Sequence, residues 1–350
     1  MRIQLPWVVP LDYAKPIVVA RALKARLLRP EVLRELALAK DFDEAVSVLG
    51  ESLYPEAREA KNLLQAQMAV WRGYFRSVYK LAQACPQHLR EVALLFAREE
   101  ELKDLMIIAH KVRYRLPLQE RLPSMFYETL AYSLSREPEK LLSIDSLLDA
   151  IRDTWAHSYL AEALSLVEEH RIETPLYTLS ALYTVRMYSE TLEPLSSLDL
   201  RDLEVIVCPK LEPLLFSGLI HSKAYGIPVD AVKAILKPLS ICGWRVGDLV
   251  EAYSRALDFR VLAEELSKSM GVRVVGETLD EVLASILIGG GRRLRRIAYK
   301  VMAGDPYRPA FIIAPLALLK LEVEDVLLIL ASKVYKVKPE DLINRLSIEI

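Results

Sequence analysis

The residues with the clearest chemical potential are three glycines followed by four arginines. Backbone amides at Gly289, Gly290 and Gly291 and the guanidinium groups after them could surround a phosphate. The arginines are Arg292, Arg293, Arg295 and Arg296. A phosphate loop of the GxxxxGK[ST] kind, however, follows a strand and ends in Lys-Ser or Lys-Thr, and this run has neither. We therefore favour a flexible turn between helices that leads into a basic helix, with a basic contact to a neighbouring subunit or lipid headgroup as the alternative.

The histidines and cysteines show no spacing that is typical of metal binding or acid–base catalysis. The five histidines show no HExxH-type spacing, and we expect them at surface positions or helix ends. They are His88, His110, His157, His170 and His221. Cys85, Cys208 and Cys242 lie far apart without a CxxC motif, which predicts a reduced cytoplasmic protein with neither disulfide nor zinc site. The sequence therefore assigns no catalytic, cofactor-binding or metal-binding residue.

One helical pattern occurs three times along the chain. Helices of this pattern would position the side chains of any functional site. Residues 101–117, 212–228 and 322–338 align without gaps, with glutamate first and tyrosine fourteenth in each copy. These residues are Glu101, Glu212, Glu322, Tyr114, Tyr225 and Tyr335. Both types step by 111 and then by 110 positions. This regular spacing is the evidence for the repeat, because apolar matches arise easily by chance in a chain that is 52% apolar.

The third copy has the clearest amphipathic pattern. Its apolar stripe at i, i+3, i+4, i+7 and i+11 consists of Val323, Val326, Leu327, Leu330 and Val334. Acidic residues precede the stripe and basic residues follow it, so we expect each repeated glutamate to stabilise a helix start. We expect the repeated tyrosines to be core anchors with bonded hydroxyl groups. The alternatives are a cation held by the glutamates on a threefold axis and a ligand pocket lined by the tyrosines.

A second helical feature alternates with these copies. Helices led by an aromatic residue are predicted at Phe42, Trp155 and Phe259, and the pair Asp41-Phe42 recurs as Asp258-Phe259. Separations from aromatic to tyrosine are 72, 70 and 76 residues, and those from tyrosine to the next aromatic are 41 and 34. Three tandem helical units of roughly 110 residues explain this order. Near-continuous helix with little two-residue alternation predicts an all-α protein, apart from a short extended piece at residues 272–275.

Composition limits the class of protein further. Lys and Arg number 46 against 47 Asp and Glu in 350 residues, so no bulk basic field favours nucleic acid. The most apolar region, residues 311–330, is interrupted by charges, and the first 13 residues lack the pattern of a cleavable signal, so we expect a soluble protein. The first predicted helix carries a basic face that is either solvated or in contact with an acidic loop of a neighbouring subunit. That face consists of Arg21, Lys24, Arg26 and Arg29.

Several stretches resemble one family over nearly the whole chain, from about residue 13 to residue 346. They are ARALKARLL (20–28), SKAYGIPVDAV (222–232) and YRPAFIIAPLALLKLEVEDVLLILASKVYKVKPEDLINRL (307–346). They look like the C-type subunit of the archaeal A-type and V-type ATP synthases, which is the counterpart of the d-type subunit of V-ATPases. The chain departs from that family's pattern at Asp104 and Asp325, where Asn is frequent, and at His110 and His221, where Arg is frequent.

The resemblance implies three similar helical domains arranged as a funnel around a pseudo-threefold axis. It also implies a non-catalytic protein that sits on the proteolipid rotor ring and receives the central-stalk shaft of D-type and F-type subunits. A protein of this kind couples ATP synthesis or hydrolysis to proton or sodium translocation, peripherally at the cytoplasmic face of the membrane, as one copy and without a cofactor. A soluble helical-repeat adaptor that binds a protein partner is the alternative function.

The unequal spacing of the two features predicts how the units are bounded. Each repeated tyrosine lies closer to the aromatic helix that follows it than to the one before, so the compact unit pairs those two. The first aromatic helix and the last Glu-to-Tyr helix are then left to close on each other, through contacts of the apolar stripe with Phe42, Ala45 and Leu49. The predicted units are 1–98 completed by 313–350, 99–208 and 209–312.

Overall fold

The chain is almost entirely helical. The computed structural model describes residues 11–50, 52, 54–118, 122–123, 130–135, 141 and 143–348. The protein is 76% helical and the described residues contain no strand, so the all-α prediction is confirmed. Residues 272–275, predicted as an extended piece, lie in an irregular connection. Residues 1–10, which include most of the segment considered as a possible signal, lie outside the described residues.

Sixteen α-helices occur in the described part of the chain. The first eight are α1 (Leu11–Arg26), α2 (Pro30–Leu38), α3 (Phe42–Leu49), α4 (Leu63–Ala84), α5 (Gln87–Arg113), α6 (Leu130–Ser135), α7 (Ile144–Ala150) and α8 (His157–Glu169). The others are α9 (Ser180–Leu192), α10 (Ser197–Ala224), α11 (Val229–Leu236), α12 (Val246–Arg255), α13 (Phe259–Met270), α14 (Leu279–Met302), α15 (Pro309–Tyr335) and α16 (Pro339–Ile343). Two 3₁₀ turns, Pro55–Glu59 and Leu176–Leu179, connect neighbouring helices.

Two helices begin at the repeated Asp-Phe pair, as predicted. Asp41 accepts a hydrogen bond from the amide three residues later at 3.0 Å, and Asp258 accepts from the amides two and three residues later at 2.8 and 3.0 Å. These bonds satisfy amide groups that the first helical turn leaves without partners. Trp155 differs, because it lies in a turn two residues before α8.

The three copies of the repeat form the C-terminal halves of the long helices α5, α10 and α15, which have 27, 28 and 27 residues. All three helices end in the same way. The residue after the repeated tyrosine is left-handed, with φ of 54° at Arg115, 66° at Gly226 and 56° at Lys336. The next amide then donates to a carbonyl five residues back, at 2.8, 2.9 and 2.9 Å. This ending satisfies carbonyls of the last helical turn, and its register is that of the sequence repeat.

By compactness the chain divides into two units. Unit 1 consists of Met1–Phe96, Leu195–Val207 and Arg293–Ile350, and unit 2 of Ala97–Pro194 and Cys208–Arg292. Within unit 1, α15 packs against α1, α2, α3 and α4. Helices from the two ends of the chain therefore share one core. The division into three units rests on repetition and not on compactness, and it stays a prediction.

The core of unit 1 is built around α15, which is buried on every side over its first eleven residues. Its start is held by Asp202, which accepts the Ala310 amide at 2.8 Å and pairs with Arg308. Most of the predicted apolar stripe is buried, but Val334 is 45% exposed, so the stripe leaves the core before that residue. Each large apolar side chain that is fully buried contributes about 1.5 to 3 kcal/mol.

Unit 2 contains a disulfide that contradicts the prediction of a fully reduced chain. Cys208 in α10 is bonded to Cys242, with 5.5 Å between their Cα atoms. Cys85, in unit 1, is free and buried. The prediction is wrong because a separation of 34 residues forms no recognisable motif, and only folding brings α10 beside the turn that follows α11.

Candidate interaction surface

The glycine–arginine run lies inside α14 and not in a loop, so the predicted flexible turn is wrong. Amides within a helix bond to the preceding turn and cannot form a cradle for phosphate. A Cβ at Gly289 would lie 2.6 Å from Val272, and one at Gly290 would lie 2.7 Å from Pro213. These glycines therefore allow other segments of unit 2 to approach the helix closely.

Arg295, the third arginine of the run, is buried in unit 1. Its guanidinium group donates to Asp325 at 2.8 Å and to the Ser347 hydroxyl at 2.6 Å. The Ser347 amide in turn donates to the other carboxylate oxygen of Asp325 at 2.7 Å. A buried charge pair needs such further hydrogen bonds to offset its loss of water. The network fastens the C-terminal residues to α15.

The repeated glutamates lie in the middle of the long helices, so their predicted helix-start role is wrong. Glu101 and Glu322 are 3% and 1% exposed. Glu322 accepts the Leu28 amide at 2.5 Å and the Tyr54 hydroxyl at 2.8 Å, and Glu101 accepts the Leu130 amide at 3.0 Å. Burial raises the pKa of both carboxyl groups to about 7. Each of these glutamates therefore joins a distant chain segment to its helix.

Glu212, the second copy, is less buried than the other two. It is half-buried, and the Ser269 hydroxyl lies 3.5 Å from its carboxylate. Because each repeated glutamate accepts from donors in its own surroundings, none of them requires a cation. The cation-site alternative therefore gains no support.

The repeated tyrosines are exposed at the helix ends, and their predicted role as core anchors is wrong. Tyr114 and Tyr225 are each 46% exposed, and Tyr335 is 74% exposed. His110 contacts Tyr114 and His221 contacts Tyr225, with ring centroids 4.7 and 4.9 Å apart. Burial lowers the pKa of both histidines. The helix ends thus present aromatic rings to the surface.

The other histidines also lie at the surface or at helix ends. His88 lies 3.1 Å from the Tyr13 hydroxyl at an exposed site. His157 is the first residue of α8, and His170 follows its last residue. In the described part of the chain, the one group of candidate metal ligands contains Cys208 and Cys242, whose disulfide removes both sulfurs as ligands.

Two lysines at one repeat position cap short helices, and sequence reasoning missed them. Lys223 and Lys333 each lie 11 residues after a repeated glutamate. Lys223 donates to the Tyr253 carbonyl at 3.0 Å, in the last turn of α12. Lys333 donates to the Ala37 and Ala39 carbonyls at 2.6 and 2.7 Å, at the end of α2. A cation there satisfies carbonyls that the helix itself leaves without partners.

The lysine contacts join equivalent pieces of the repeat. The helix capped by Lys223 is followed by the Asp258-Phe259 start of α13, and the helix capped by Lys333 by the Asp41-Phe42 start of α3. The third copy therefore contacts the helix just before the first aromatic helix, and the second copy contacts the helix just before the aromatic helix α13 in the same way. The signal in the sequence was the 110-residue spacing of the two lysines.

A buried ion pair in unit 2 also links equivalent positions of two copies. Glu99 and Lys210 are 111 residues apart, which is the repeat step, and both side chains are 5% exposed. Lys210 donates to the Glu99 carboxylate, which also accepts the Tyr188 hydroxyl at 3.2 Å. Helices α5 and α10 thus meet at matching positions of the repeat. In the sequence, the signal for this pair was that two opposite charges stand one repeat step apart.

The family is decided by comparison with known sequences. A sequence model of the ATP synthase (C/AC39) subunit family matches residues 17–345 and so includes all three copies of the repeat. The chain belongs to the ATP synthase (C/AC39) subunit family. No curated protein matches it individually. The resemblance seen in the sequence is therefore confirmed, and this C/AC39 chain is a subunit of the rotary A/V-type ATP synthases.

The basic face of this C/AC39 chain is divided into engaged and free residues. Arg21 lies over the Phe311 ring at 5.9 Å, and the Lys24 amine lies 3.5 Å from the Met302 carbonyl. Arg26 and Arg29 are exposed, and neither side chain has a hydrogen-bond or ion-pair partner within the described ranges. Two of the four predicted cations therefore remain available.

Among the helices of the described residues, none is both long enough and apolar enough to cross a bilayer.

Proposed function

We propose that this chain is the non-catalytic coupling subunit of a rotary A/V-type ATP synthase. One copy links the central-stalk shaft of D-type and F-type subunits to the proteolipid rotor ring at the cytoplasmic face of the membrane. Through that link, ATP synthesis or hydrolysis is coupled to proton or sodium translocation. The single observation that carries the proposal is the family match over residues 17–345.

Internal contacts that stiffen the chain support this role, because a subunit that transmits torque must not deform between its two partners. Contacts of Glu322, Lys333 and the Glu99–Lys210 pair join segments that are far apart in the sequence, and those of Glu322 and of the ion pair are buried. Buried polar contacts whose groups are satisfied fix one arrangement of the elements they join. The chain thus has long helices that are fastened internally by hydrogen bonds.

The surface at the helix ends also suits a subunit with protein partners. Each copy of the repeat ends in an exposed tyrosine with basic residues close by in the sequence. Tyrosine and arginine are enriched at protein interfaces, because both combine apolar area with polar groups. The glycine–arginine run lies within a helix, so its backbone amides do not form the phosphate cradle considered for it.

Co-purification tests the proposal directly. An affinity tag on this chain should retain ring and central-stalk subunits from detergent extracts of the cells that produce it. A matched preparation of tagged chain mixed with extract after assembly gives the background. Recovery of the tagged chain without ring or stalk subunits would contradict the proposal and would favour a free-standing adaptor.

A further inference from the structure

The two free guanidinium groups lie beside a groove on unit 1. The groove is formed where α1 ends and α2 and α3 pass beside it, and its volume is about 580 Å³. Arg26 and Arg29 line it together with the apolar side chains of Leu27, Val32 and Val48. These apolar side chains are only partly buried, so a partner could still cover them. The groove combines apolar walls with two unpaired cations.

Charge along α1 and the turn after it is one-sided. Residues 13–30 include five basic residues and no acidic residue. Among the described residues that line the groove, Glu35 is the one acidic residue against Arg26 and Arg29, so this part of the lining has an excess of positive charge. An anionic partner is favoured for this reason. Apolar walls favour a peptide over a free phosphate, because only a peptide also brings apolar side chains to cover them.

We infer that this groove receives an acidic segment of a partner subunit in the ATP synthase complex. An apolar side chain of that segment packs against Val32 and Val48, while its carboxylates pair with Arg26 and Arg29. Arg26 is the last residue of α1 and Arg29 is the extended residue before α2, so both guanidinium groups lie at the rim of the groove where the two helices meet. Guanidinium groups bind carboxylates with two parallel hydrogen bonds, which makes the contact directional. The inference rests on the proposed function, because the partner belongs to that complex.

Charge reversal in the complete chain tests the inference. In tagged R26E/R29E, recovery of the partner from detergent extracts should fall about tenfold or more and should not be restored at low salt. R26Q/R29Q should cause a smaller loss, and it also covers the case in which the reversed variant folds poorly. R34E/K80E makes the same change in charge at two other exposed sites of unit 1 and should leave recovery unchanged. Equal recovery with R26E/R29E and the unaltered chain would overturn the inference.

A photo-crosslinking amino acid at Val48 identifies the occupant in the assembled complex. The expected adduct is a peptide of a ring or stalk subunit with at least two acidic residues. An adduct with lipid, or with a peptide that lacks acidic residues, would overturn the inference. So would binding of the unaltered chain, but not of R26E/R29E, to vesicles containing phosphatidylserine while recovery of the subunits stays the same.

Failure of the inference can be distinguished from failure of the proposed function. If the unaltered chain retains ring and stalk subunits and R26E/R29E retains them equally, the coupling role stands and the groove assignment is wrong. If the unaltered chain retains no such subunit, the proposed function itself is wrong.

Discussion

Units 1 and 2 use the same positions of the repeat to join residues that lie at very different distances along the sequence. In unit 1, Glu322 and Lys333 bind residues 294 to 296 positions away, and the carboxylate is buried. In unit 2, Lys223 binds a carbonyl 30 positions away, and Glu212 is only half-buried. A disulfide that spans 34 residues lies in unit 2. Unit 1 therefore depends on long-range polar contacts, whereas unit 2 has a covalent link.

The comparison shows how a tandem repeat can close on itself. In unit 2 the repeated lysine joins helices that are close in the sequence, whereas in unit 1 it joins helices from the two ends of the chain. In both units its partners are backbone carbonyls at the end of a short helix. Contacts between the chain ends close the longest loop, so their formation has the largest entropy cost, which the packing of α15 must offset. Loss of the C-terminal helix should therefore affect residues at the opposite end of the sequence.

Deletion of residues 319–350 should have the largest effect and would break the comparison most severely. It removes nine of the nineteen buried residues of α15, and each large buried side chain is worth about 1.5 to 3 kcal/mol against about 5 to 15 kcal/mol for a whole domain. Hydrogen exchange should show lost protection at amides 37–49 and retained protection in α11 and α12 of unit 2. Full protection of amides 37–49 in the truncated chain would contradict closure of the chain ends.

Sequence alone predicted the helical class and the register of the repeat correctly. Glutamate and tyrosine were informative because their types recur at fixed positions, and the three helix endings follow that register. The glutamates were nevertheless misplaced relative to the helix starts, because no residue type recurs at the same position in all three of the preceding halves of α5, α10 and α15. An acidic residue before an apolar stripe is typical of a helix start, and a buried carboxylate gives the same local pattern.

Replacement of both bonded cysteines should have the next largest effect, and it acts on the opposite unit. A 34-residue loop closed by a disulfide corresponds to about 3 to 4 kcal/mol in the chain-entropy account. In C208S/C242S, chemical denaturation should therefore show a loss of that order in unit 2, while hydrogen exchange in α1 to α3 of unit 1 stays unchanged. C85S is the control for loss of a cysteine. An equal loss of protection in both units would remove the distinction between them.

Alanine at the two repeated glutamates should sharpen the comparison. E322A leaves the Leu28 amide and the Tyr54 hydroxyl buried without their acceptor, at a cost of about 2 to 4 kcal/mol. E212A acts at a carboxylate that is only half-buried and therefore partly hydrated, and it should cost less, about 0 to 1 kcal/mol. Denaturant titration of both variants measures the difference. Similar losses of unfolding free energy in both variants would mean that burial of the carboxylate does not determine its contribution to stability.

The pH dependence should be the smallest of these effects. Burial raises the pKa of Glu322 to about 7 in the folded chain, so the folded state holds a proton that the unfolded state releases near pH 4.5. This contribution to stability is complete below about pH 4.5 and is lost as the pH rises to about 7. The difference in unfolding free energy between the unaltered chain and E322Q should change over this interval. A constant difference would contradict the raised pKa.

The remaining features could not be predicted because they depend on contacts between distant segments. Burial of Glu99 and Lys210 follows from the meeting of α5 and α10, and neither residue has a distinctive local pattern. The exposure of Tyr335 likewise depends on where α15 leaves the core. The free side chains of Arg26 and Arg29 could be recognised only once Arg21 and Lys24 were seen to be engaged.

The ratio of ion translocation to ATP hydrolysis tests the coupling role most directly. It can be measured in vesicles that contain the assembled complex, before and after this chain is removed and then added back. The account predicts that hydrolysis continues without the chain, that ATP-driven translocation is lost, and that translocation returns with the unaltered chain. An unchanged ratio in complexes that lack the chain would contradict the coupling role.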